Sequence, residues 1–252
     1  MNNPPLSKNE LERYARHLIL PEVGGAGQQK LKAARVLIIG VGGLGSPVAL
    51  YLAAAGVGTI GIVDDDVVSL SNLQRQIAHD TSSVGELKTE SGANSITRIN
   101  PSVNVRIHNY RLGDSNAESL IGTYDIVADG SDNFETRYLT ARTCEKLRIP
   151  LVTAAVGRFD GSITTLKPYS INSEGEQNPR YIDIFPYQPP AGLLPGCAEA
   201  GILGALTGVI GSMQALEVIK EVVGAGESLV GRLVLYDALT TRFEQIKYRR
   251  KK

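Results

Sequence analysis

The chain has 252 residues, of which 42% are hydrophobic and 21% are charged, a composition that suits a globular protein with a full core. Its 26 Lys and Arg balance its 26 Asp and Glu, so the charge gives no general reason to expect nucleic acid or an anionic membrane as a partner. Two cysteines, Cys144 and Cys197, are too few for a disulfide framework and favour a reducing cytoplasm.

The first half of the chain alternates between predicted helices and predicted strands. A capping box formed by Ser7 and Glu10 predicts a first helix that runs to about Leu20. Further along, strands are predicted at 35–40, 59–64, 103–109, 124–129 and 151–155, and helices at 45–55, 86–99 and 134–147. This alternation predicts an α/β fold, namely a Rossmann-like, doubly wound and mostly parallel sheet.

The stretch 36–63 contains no charged residue, which raises the question of a membrane span. It also contains seven glycines and one proline, which suit a strand, a tight loop, a short helix and a second strand. We therefore interpret it as the buried centre of a soluble sheet and expect no membrane partner.

The second half of the chain has an antiparallel pattern. Predicted strands at 151–157 and 162–167 flank a short turn and indicate a hairpin. The stretch 168–196 is rich in Pro, Gly, Asn and Tyr and lacks periodicity, which is typical of a functional or disordered loop. The elements predicted after it are an apolar helix at 202–223, strands at 233–236 and 243–248, and a basic tail at 247–252 that we expect to be solvated.

We interpret the chain as a single domain, 1–252. Its predicted parts are N-terminal helices at 1–34, a nucleotide-binding core at 35–157, and an antiparallel, β-rich C-terminal extension at 158–252.

A glycine-rich loop follows the first predicted strand. Gly40, Gly42, Gly43 and Gly45 satisfy G-x-G-x-x-G, and such glycines let phosphate oxygens approach the backbone at a helix N-terminus. Asp64 ends the next predicted strand, where a carboxylate accepts hydrogen bonds from ribose hydroxyls. The pattern favours nucleotide binding over glycines that serve packing alone, and it leaves open whether the nucleotide is a dinucleotide or ATP.

Two cations beyond Asp64 favour ATP over a nicotinamide dinucleotide. Arg75 lies in the polar segment 69–76, and Lys88 lies near the start of the next predicted helix. An Arg clamps phosphate oxygens through paired N–H groups, a Lys adds a point charge, and both stabilise a pyrophosphate leaving group. A surface ion pair is the alternative for either cation taken alone.

With these motifs the chain resembles the MoeB/ThiF/HesA family, the bacterial relatives of ubiquitin-activating enzymes. The resemblance extends over nearly the whole chain, and the Ser-x-Asn-Leu-x-Arg-Gln string within 69–76 is more specific than the glycine loop. The matching segments are 13–17, 40–45, Asp64, Asp66, 69–76, Lys88, 129–133, 197–201 and 208–212.

The resemblance implies a role for each matching residue. Asp132 would hold a magnesium ion, and Arg16 would reach the phosphates of a neighbouring subunit in a homodimer. From the residues alone, Asp132 could also cap the predicted helix 134–147. The nucleotide-binding residues that the resemblance implies are Gly40, Gly42, Gly43, Gly45, Asp64 (on the ribose), Asp66, Asn72, Arg75, Gln76 and Lys88.

The implied reaction is adenylation of the C-terminal glycine carboxylate of a ubiquitin-like sulfur carrier. An ionised carboxylate needs no general base, so alignment and charge neutralisation would supply the catalysis. The carrier is expected to be of the molybdopterin (MoaD) type, with the thiamine-pathway (ThiS) type as the alternative. An NAD-dependent oxidoreductase and a non-catalytic scaffold for such a partner are the competing hypotheses.

The cysteines separate this chain from many relatives, which carry two C-x-x-C pairs around a structural zinc. Two cysteines cannot supply four thiolates, so we expect no zinc and packing through Tyr169, Tyr181, Phe185 and Tyr187 instead. Cys197 precedes a predicted helix and is either a reactive nucleophile or a bystander. Cys144 falls within the predicted helix 134–147 and is expected to be a buried apolar residue.

Overall fold

The computed structural model describes residues 5–188 and 201–251. Its helices are α1 (Lys8–Arg13), α2 (Ala15–Leu18), α3 (Gly24–Ala33), α4 (Gly45–Ala55), α5 (Lys88–Ile99), α6 (Ala117–Ile121), α7 (Phe134–Leu147), α8 (Tyr181–Ile184) and α9 (Gly204–Val223), with 3₁₀ turns at Leu70–Asn72 and Thr81–Ser83. Its strands are β1 (Arg35–Ile39), β2 (Thr59–Val63), β3 (Asn104–His108), β4 (Ile126–Asp129), β5 (Leu151–Val156), β6 (Asp160–Leu166), β7 (Arg232–Asp237) and β8 (Arg242–Lys247).

All eight strands form one sheet in the order β3-β2-β1-β4-β5-β6-β7-β8. Strands β1 to β5 pair in parallel, and β5 to β8 pair antiparallel. The prediction of a doubly wound, mostly parallel sheet with an antiparallel C-terminal extension is confirmed.

The order in which the chain adds strands to the sheet reverses at β1. It runs from β1 outward through β2 and β3 and then returns to β4 on the other side of β1. Ile39 lies level with both Val63 and Asp129, so the residues after β1, β2 and β4 share one edge. A doubly wound sheet binds its ligands at such a switch point.

Both faces of the central parallel strands β1, β2 and β4 are covered, which explains why these strands are largely apolar and buried, whereas the edge strand β3 is mostly exposed. In β1, Val36 and Ile38 pack into one core cluster with residues of α4, α5 and α9. Leu37 and Ile39 point the other way and pack with residues of α6, α7 and α8.

Helix α9 is the long apolar helix of the C-terminal half. Its buried Gln214 donates from Nε2 to the carbonyls of Asp129 and Val152, both at 2.9 Å, which ties α9 to β4 and β5. None of the helices in the described part of the chain is long and apolar enough to cross a membrane.

The N-terminal helices differ in detail from the sequence prediction. The capping box at Ser7 is present, but α1 ends at Arg13 and α2 begins after Tyr14. The Tyr14 ring is buried against Gly56, and its hydroxyl accepts a hydrogen bond from Asn100 Nδ2 at 2.8 Å. This anchor interrupts the single helix expected up to Leu20.

Aromatic packing in the crossover segment, residues 168–188, agrees only in part with expectation. The Tyr181 ring contacts Tyr138 and Phe185, with both pairs of ring centroids 5.0 Å apart. Tyr169 lies under the guanidinium of Arg148. The expectation for Tyr187 is wrong, because that side chain is 85% exposed and contributes no core packing.

The basic tail is fastened in part to the crossover segment. Within this C-terminal clasp, residues 248–251, Arg250 Nη1 donates to the Pro168 carbonyl at 3.1 Å. The Lys251 N–H donates to Asp183 Oδ1 at 3.1 Å, and the same carboxylate pairs with Arg180. The expectation of a solvated tail is therefore wrong for Tyr248 and Arg250, which are partly buried, whereas the side chains of Arg249 and Lys251 are exposed as expected.

Candidate active site

A cavity of about 590 Å³ opens at the edge of the sheet where β1, β2 and β4 end. Its volume lies in the range of small-molecule sites. The far wall comes from the antiparallel part of the sheet, so both parts of the sheet contribute. The residues with sequence-predicted roles that line it are Gly40, Gly42, Gly43, Asp64, Asp66, Arg75, Gln76, Lys88 and Asp132.

The glycine loop joins β1 to the N-terminus of α4. Gly40 has a φ of +81°, a conformation that favours glycine. A Cβ at Gly45 would lie 1.8 Å from the Gly40 carbonyl oxygen, so the tight turn excludes any side chain there. No side chain caps α4. The Ser46 N–H already donates to the Gly42 carbonyl at 2.9 Å and Pro47 has no N–H, so the N–H groups left for an anion are those of the glycine loop that leads into α4.

Asp64 is held in one orientation by backbone donors. Its Oδ2 accepts from the Val41 N–H at 2.8 Å, and its Oδ1 accepts from the Asp66 N–H at 2.9 Å. Burial raises the pKa of Asp64, and the nearby Lys88 charge acts in the opposite direction. The carboxylate keeps free lone pairs on both oxygens, which can accept two hydroxyl groups of one ligand.

Buried His79 supports this arrangement from behind the glycine loop. Its Nε2 lies 2.9 Å from the Val41 carbonyl, and its Nδ1 lies 2.9 Å from Ser91 Oγ. Since a carbonyl only accepts, Nε2 carries the proton and Nδ1 accepts from the serine hydroxyl. Burial lowers the pKa of His79, so the neutral ring fixes the loop residue that binds Asp64.

Lys88 and Arg75 bring positive charge to the cavity wall. Lys88 is the first residue of α5, and its side chain is only 8% exposed. Its Nζ lies 2.7 Å from Asp66 Oδ2, so the Asp66 carboxylate holds the lysine in place. Arg75 uses one N–H on the Ser71 carbonyl at 3.2 Å, which leaves most of its donors for a ligand.

Asn72 and Gln76 occupy different positions although both lie in the segment 69–76. Asn72 Oδ1 accepts from the Ser69 N–H at 3.1 Å, and Asn72 is absent from the cavity wall. Gln76 is 4% exposed, lines the cavity, and has an Oε1 atom without a hydrogen-bond partner in the described residues. A buried polar atom of this kind is expected to receive its partner from a ligand or water.

The Asp132 loop, residues 130–133, follows β4 and leads into α7. Asp132 lines the cavity, is exposed, and makes no side-chain hydrogen bond or ion pair with the described residues. The alternative role of Asp132 as helix cap is wrong, because Asn133 caps α7 by accepting from the Thr136 N–H at 2.9 Å. An unpaired carboxylate facing a cavity fits a hard cation such as Mg²⁺.

The cavity also contains residues that the sequence did not single out. Tyr110, Arg111 and Leu112 follow β3 and line it. Their signal was available in the sequence, because parallel strands end at one edge of a sheet. Arg137 lies in the wall as well, and its Nε and Nη2 donate to the Ser131 carbonyl at 3.1 and 2.7 Å.

Besides Asn72 and Gly45, three more residues with predicted roles lie outside the cavity wall or outside the described structure. Arg16 is exposed on α2 and does not line the cavity. Cys197 falls outside the described residues, so its two alternatives stay open. Cys144 is buried in α7, where burial raises the pKa of its thiol, and it packs as the apolar residue that was expected.

Comparison with known proteins identifies relatives over most of the chain. The sequence model of the ThiF family matches residues 14–252. The chain is 47% identical over 245 residues to the probable adenylyltransferase/sulfurtransferase MoeZ of Mycobacterium tuberculosis, covering 97% of this chain and 62% of MoeZ. It is 45% identical over 244 residues to the sulfur carrier protein adenylyltransferase of Thermus thermophilus, covering 97% of this chain and 89% of that protein.

A solved structure shares the fold at lower identity. The crystal structure of E. coli MccB with MccA-N7isoASN superposes with a TM-score of 0.83 at 20% identity, covering 97% of this chain and 74% of MccB. At this identity the likeness concerns the architecture alone.

Proposed function

Because the chain belongs to the ThiF family, we propose that it transfers the adenylyl group of ATP to the C-terminal carboxylate of a ubiquitin-like sulfur carrier. The observation that carries the proposal is the convergence of the glycine loop, Asp64, Arg75 and Lys88 on one cavity. A relative named for this activity in Thermus thermophilus aligns with 97% of the chain.

The nucleotide is proposed to lie along the edge of the sheet from β2 to β4. Asp64 accepts the ribose hydroxyls, and the glycine loop at the start of α4 receives phosphate oxygens. Arg75, Lys88 and the Nε2 group of Gln76, which lies next to Gly42, donate to the triphosphate from the opposite side. For Asn72, a role in shaping the turn that carries Arg75 is better supported than a direct phosphate contact.

Asp132 would hold Mg²⁺, and the ion would supply neutralisation of the charge that develops on the leaving pyrophosphate. The unpaired carboxylate at the cavity wall is the observation that supports this assignment. The rest of the phosphate charge is met by Arg75 and Lys88, which are in place before the reaction begins. Such preorganised groups are effective because they need no reorganisation as the charge moves.

The reaction is an in-line substitution at the α-phosphorus. An oxygen of the carrier's carboxylate forms a bond to the α-phosphorus, the bond from this phosphorus to the bridging oxygen of the β-phosphate breaks, and pyrophosphate leaves with the electron pair. The nucleophile is already ionised at neutral pH, so no proton moves. The chain's contribution is alignment of the two anions and stabilisation of their charge.

The finer assignments rest on the same resemblance. A MoaD-type carrier is proposed first and a ThiS-type carrier second, and the low cysteine content supports a cytoplasmic enzyme without structural zinc. The exposed position of Arg16 fits a homodimer in which it reaches the partner's nucleotide. An NAD-dependent oxidoreductase is less well supported, because Arg75 and Lys88 have no role in hydride transfer.

Carrier-dependent exchange of labelled pyrophosphate into ATP tests the proposal. Purified MoaD-type and ThiS-type carriers are each added with ATP and Mg²⁺, and the acyl-adenylate is sought by mass spectrometry. We expect exchange with one carrier and a loss of about 100-fold or more in Arg75→Ala, because a charge-stabilising donor is removed.

The control is Arg142→Ala, at an exposed arginine outside the cavity, which should retain full exchange. Absence of exchange by the wild-type protein with both carriers would argue against adenylation. Binding of nicotinamide dinucleotide, followed by its fluorescence, would then support the oxidoreductase.

A further inference from the structure

We propose that Arg137 is a positioning residue that fixes the Asp132 loop, so that the Asp132 carboxylate faces the bound nucleotide and its magnesium ion. The inference rests on the proposed function of the cavity. It concerns a residue that makes no ion pair within the described residues and yet lines the cavity. The argument begins with the backbone of Ser131.

Ser131 is held at both of its backbone polar groups. Its N–H donates to Asp129 Oδ1 at 3.0 Å, and its carbonyl accepts from Arg137 Nε at 3.1 Å and Nη2 at 2.7 Å. The carbonyl belongs to the planar peptide unit that joins Ser131 to Asp132. Fixing its direction therefore fixes where the Asp132 main chain and side chain begin.

The anchor itself is rigid because Arg137 lies in the first turns of α7. That helix is capped by Asn133 and begins at Phe134, and the Arg137 guanidinium lies 5.8 Å from the centroid of the Phe134 ring. The two N–H groups form a planar fork, which defines a direction as well as a distance. A lysine has no such fork and can supply only one of the two hydrogen bonds in this geometry.

Arg137 also acts on the second anchor of the loop. Asp129 is completely buried, and burial raises its pKa, whereas the nearby Arg137 charge acts to lower it. The positive charge therefore favours the ionised carboxylate that accepts the Ser131 N–H. Loss of Arg137 removes both hydrogen bonds to the Ser131 carbonyl and the positive charge near Asp129, and Asp132 is the residue whose position is released by that loss.

The experiment compares Arg137→Met, Arg137→Lys and the wild-type protein. Two titrations with Mg²⁺ are measured: pyrophosphate exchange at saturating ATP and carrier, and binding of a non-hydrolysable ATP analogue by calorimetry. Mutation of a group that orients a metal ligand costs about 10- to 100-fold in metal affinity. We therefore expect the Mg²⁺ midpoint of Arg137→Met to rise by about 10-fold in both titrations.

The matched control is Arg142→Met, since Arg142 lies on the same helix and pairs with Asp114 at the surface. It should leave the Mg²⁺ midpoint unchanged. Arg137→Lys should lie between Arg137→Met and the wild type, because it keeps the charge near Asp129 and one donor. If Arg137→Met does not fold, the Mg²⁺ midpoint of Arg137→Lys alone tests whether Arg137 positions Asp132.

A double variant separates positioning from direct contact. In an Asp132→Ala background, Arg137→Met should produce no further rise in the Mg²⁺ midpoint. A midpoint equal to wild type in Arg137→Met and Arg137→Lys, or a loss confined to the KM for the carrier, would overturn the proposal. Failure of the wild-type protein to exchange pyrophosphate counts against the proposed function, whereas the binding titration still tests Arg137.

Discussion

At the scale of single residues, the cavity wall contains side chains whose partners are supplied by the protein and side chains whose partners are missing. Asp64 accepts two backbone N–H groups, and Lys88 pairs with Asp66. Gln76 Oε1 and the Asp132 carboxylate have no partner among the described residues. A ligand that binds here meets Asp64 and Lys88 already oriented, whereas Gln76 Oε1 and the Asp132 carboxylate are acceptors that await a cation or an N–H or O–H donor.

Asp64→Asn is expected to weaken ATP binding by about 10-fold. The amide offers one acceptor oxygen in place of two, so one ribose hydroxyl of the bound nucleotide loses its acceptor, at a cost of about 1–3 kcal/mol. Titration calorimetry with ATP and Mg²⁺ measures the effect. Asp114→Asn is the control, since Asp114 is an exposed carboxylate outside the cavity, and equal losses in both variants would contradict the prediction.

At the scale of elements, the sequence predicts the ends of a helix most accurately where a capping residue or a glycine stands at the boundary. Helices α4 and α7 begin and end where predicted, since α4 lies between Gly45 and the left-handed Gly56 and α7 starts at its Asn133 cap. Helix α3 contains three glycines in ten residues. Its composition opposes a helix, and packing against α9 stabilises it instead.

The C-terminal clasp could not be predicted, because its contacts join residues far apart in the chain. Arg250 donates to Pro168, and Lys251 donates to Asp183. Arg137 was missed for a related reason, since its partner is a backbone carbonyl and carries no side-chain signature. Residues that directly follow strands, such as Asp64 and Asp132, could be predicted because the carboxyl ends of parallel strands lie at the same edge of the sheet.

The clasp is expected to make stability sensitive to acid through Asp183. Although burial raises the pKa of Asp183, the hydrogen bonds from Arg180 and the Lys251 N–H lower it below the ordinary value. A carboxyl with a depressed pKa stabilises the fold above its unfolded pKa, and this stability is lost as the pH falls through the folded pKa.

Asp183→Asn should therefore lower the free energy of unfolding by about 2 kcal/mol at pH 7. Its stability should also change less than that of the wild type as the pH falls below about 4, the ordinary carboxyl pKa. Urea unfolding between pH 3 and 7, with exposed Asp114→Asn as control, measures both effects. Parallel pH profiles for Asp183→Asn and wild type would contradict the assignment.

At the scale of the whole molecule, the single sheet performs two tasks. Its parallel part carries the nucleotide loops, and its antiparallel part forms the far wall through residues such as Gly157, Ser162 and Leu235. Strand β8 is exposed along its whole length. The cavity therefore lies between the parallel and the antiparallel parts of the sheet.

Mixing of variant subunits tests whether each active site is shared. If Arg16 acts on the partner's nucleotide, Arg16→Ala and Arg75→Ala homodimers are both inactive, but each mixed dimer has one intact site. An equal mixture after subunit exchange should recover about a quarter of wild-type exchange, because half the dimers are mixed and one of two sites is whole. No recovery, with mixed dimers verified by mass spectrometry, would place Arg16 outside the partner's site.

The ion pair between Lys88 and Asp66 has a consequence for turnover. Asp66 is 67% exposed, whereas the lysine is nearly enclosed, so a neutralising anion stays beside the cation when the cavity is vacant. Phosphate oxygens must compete with this carboxylate for the ammonium group. We expect this competition to lower the affinity for pyrophosphate and to speed its dissociation. A substitution at Asp66 should therefore change the strength of product inhibition.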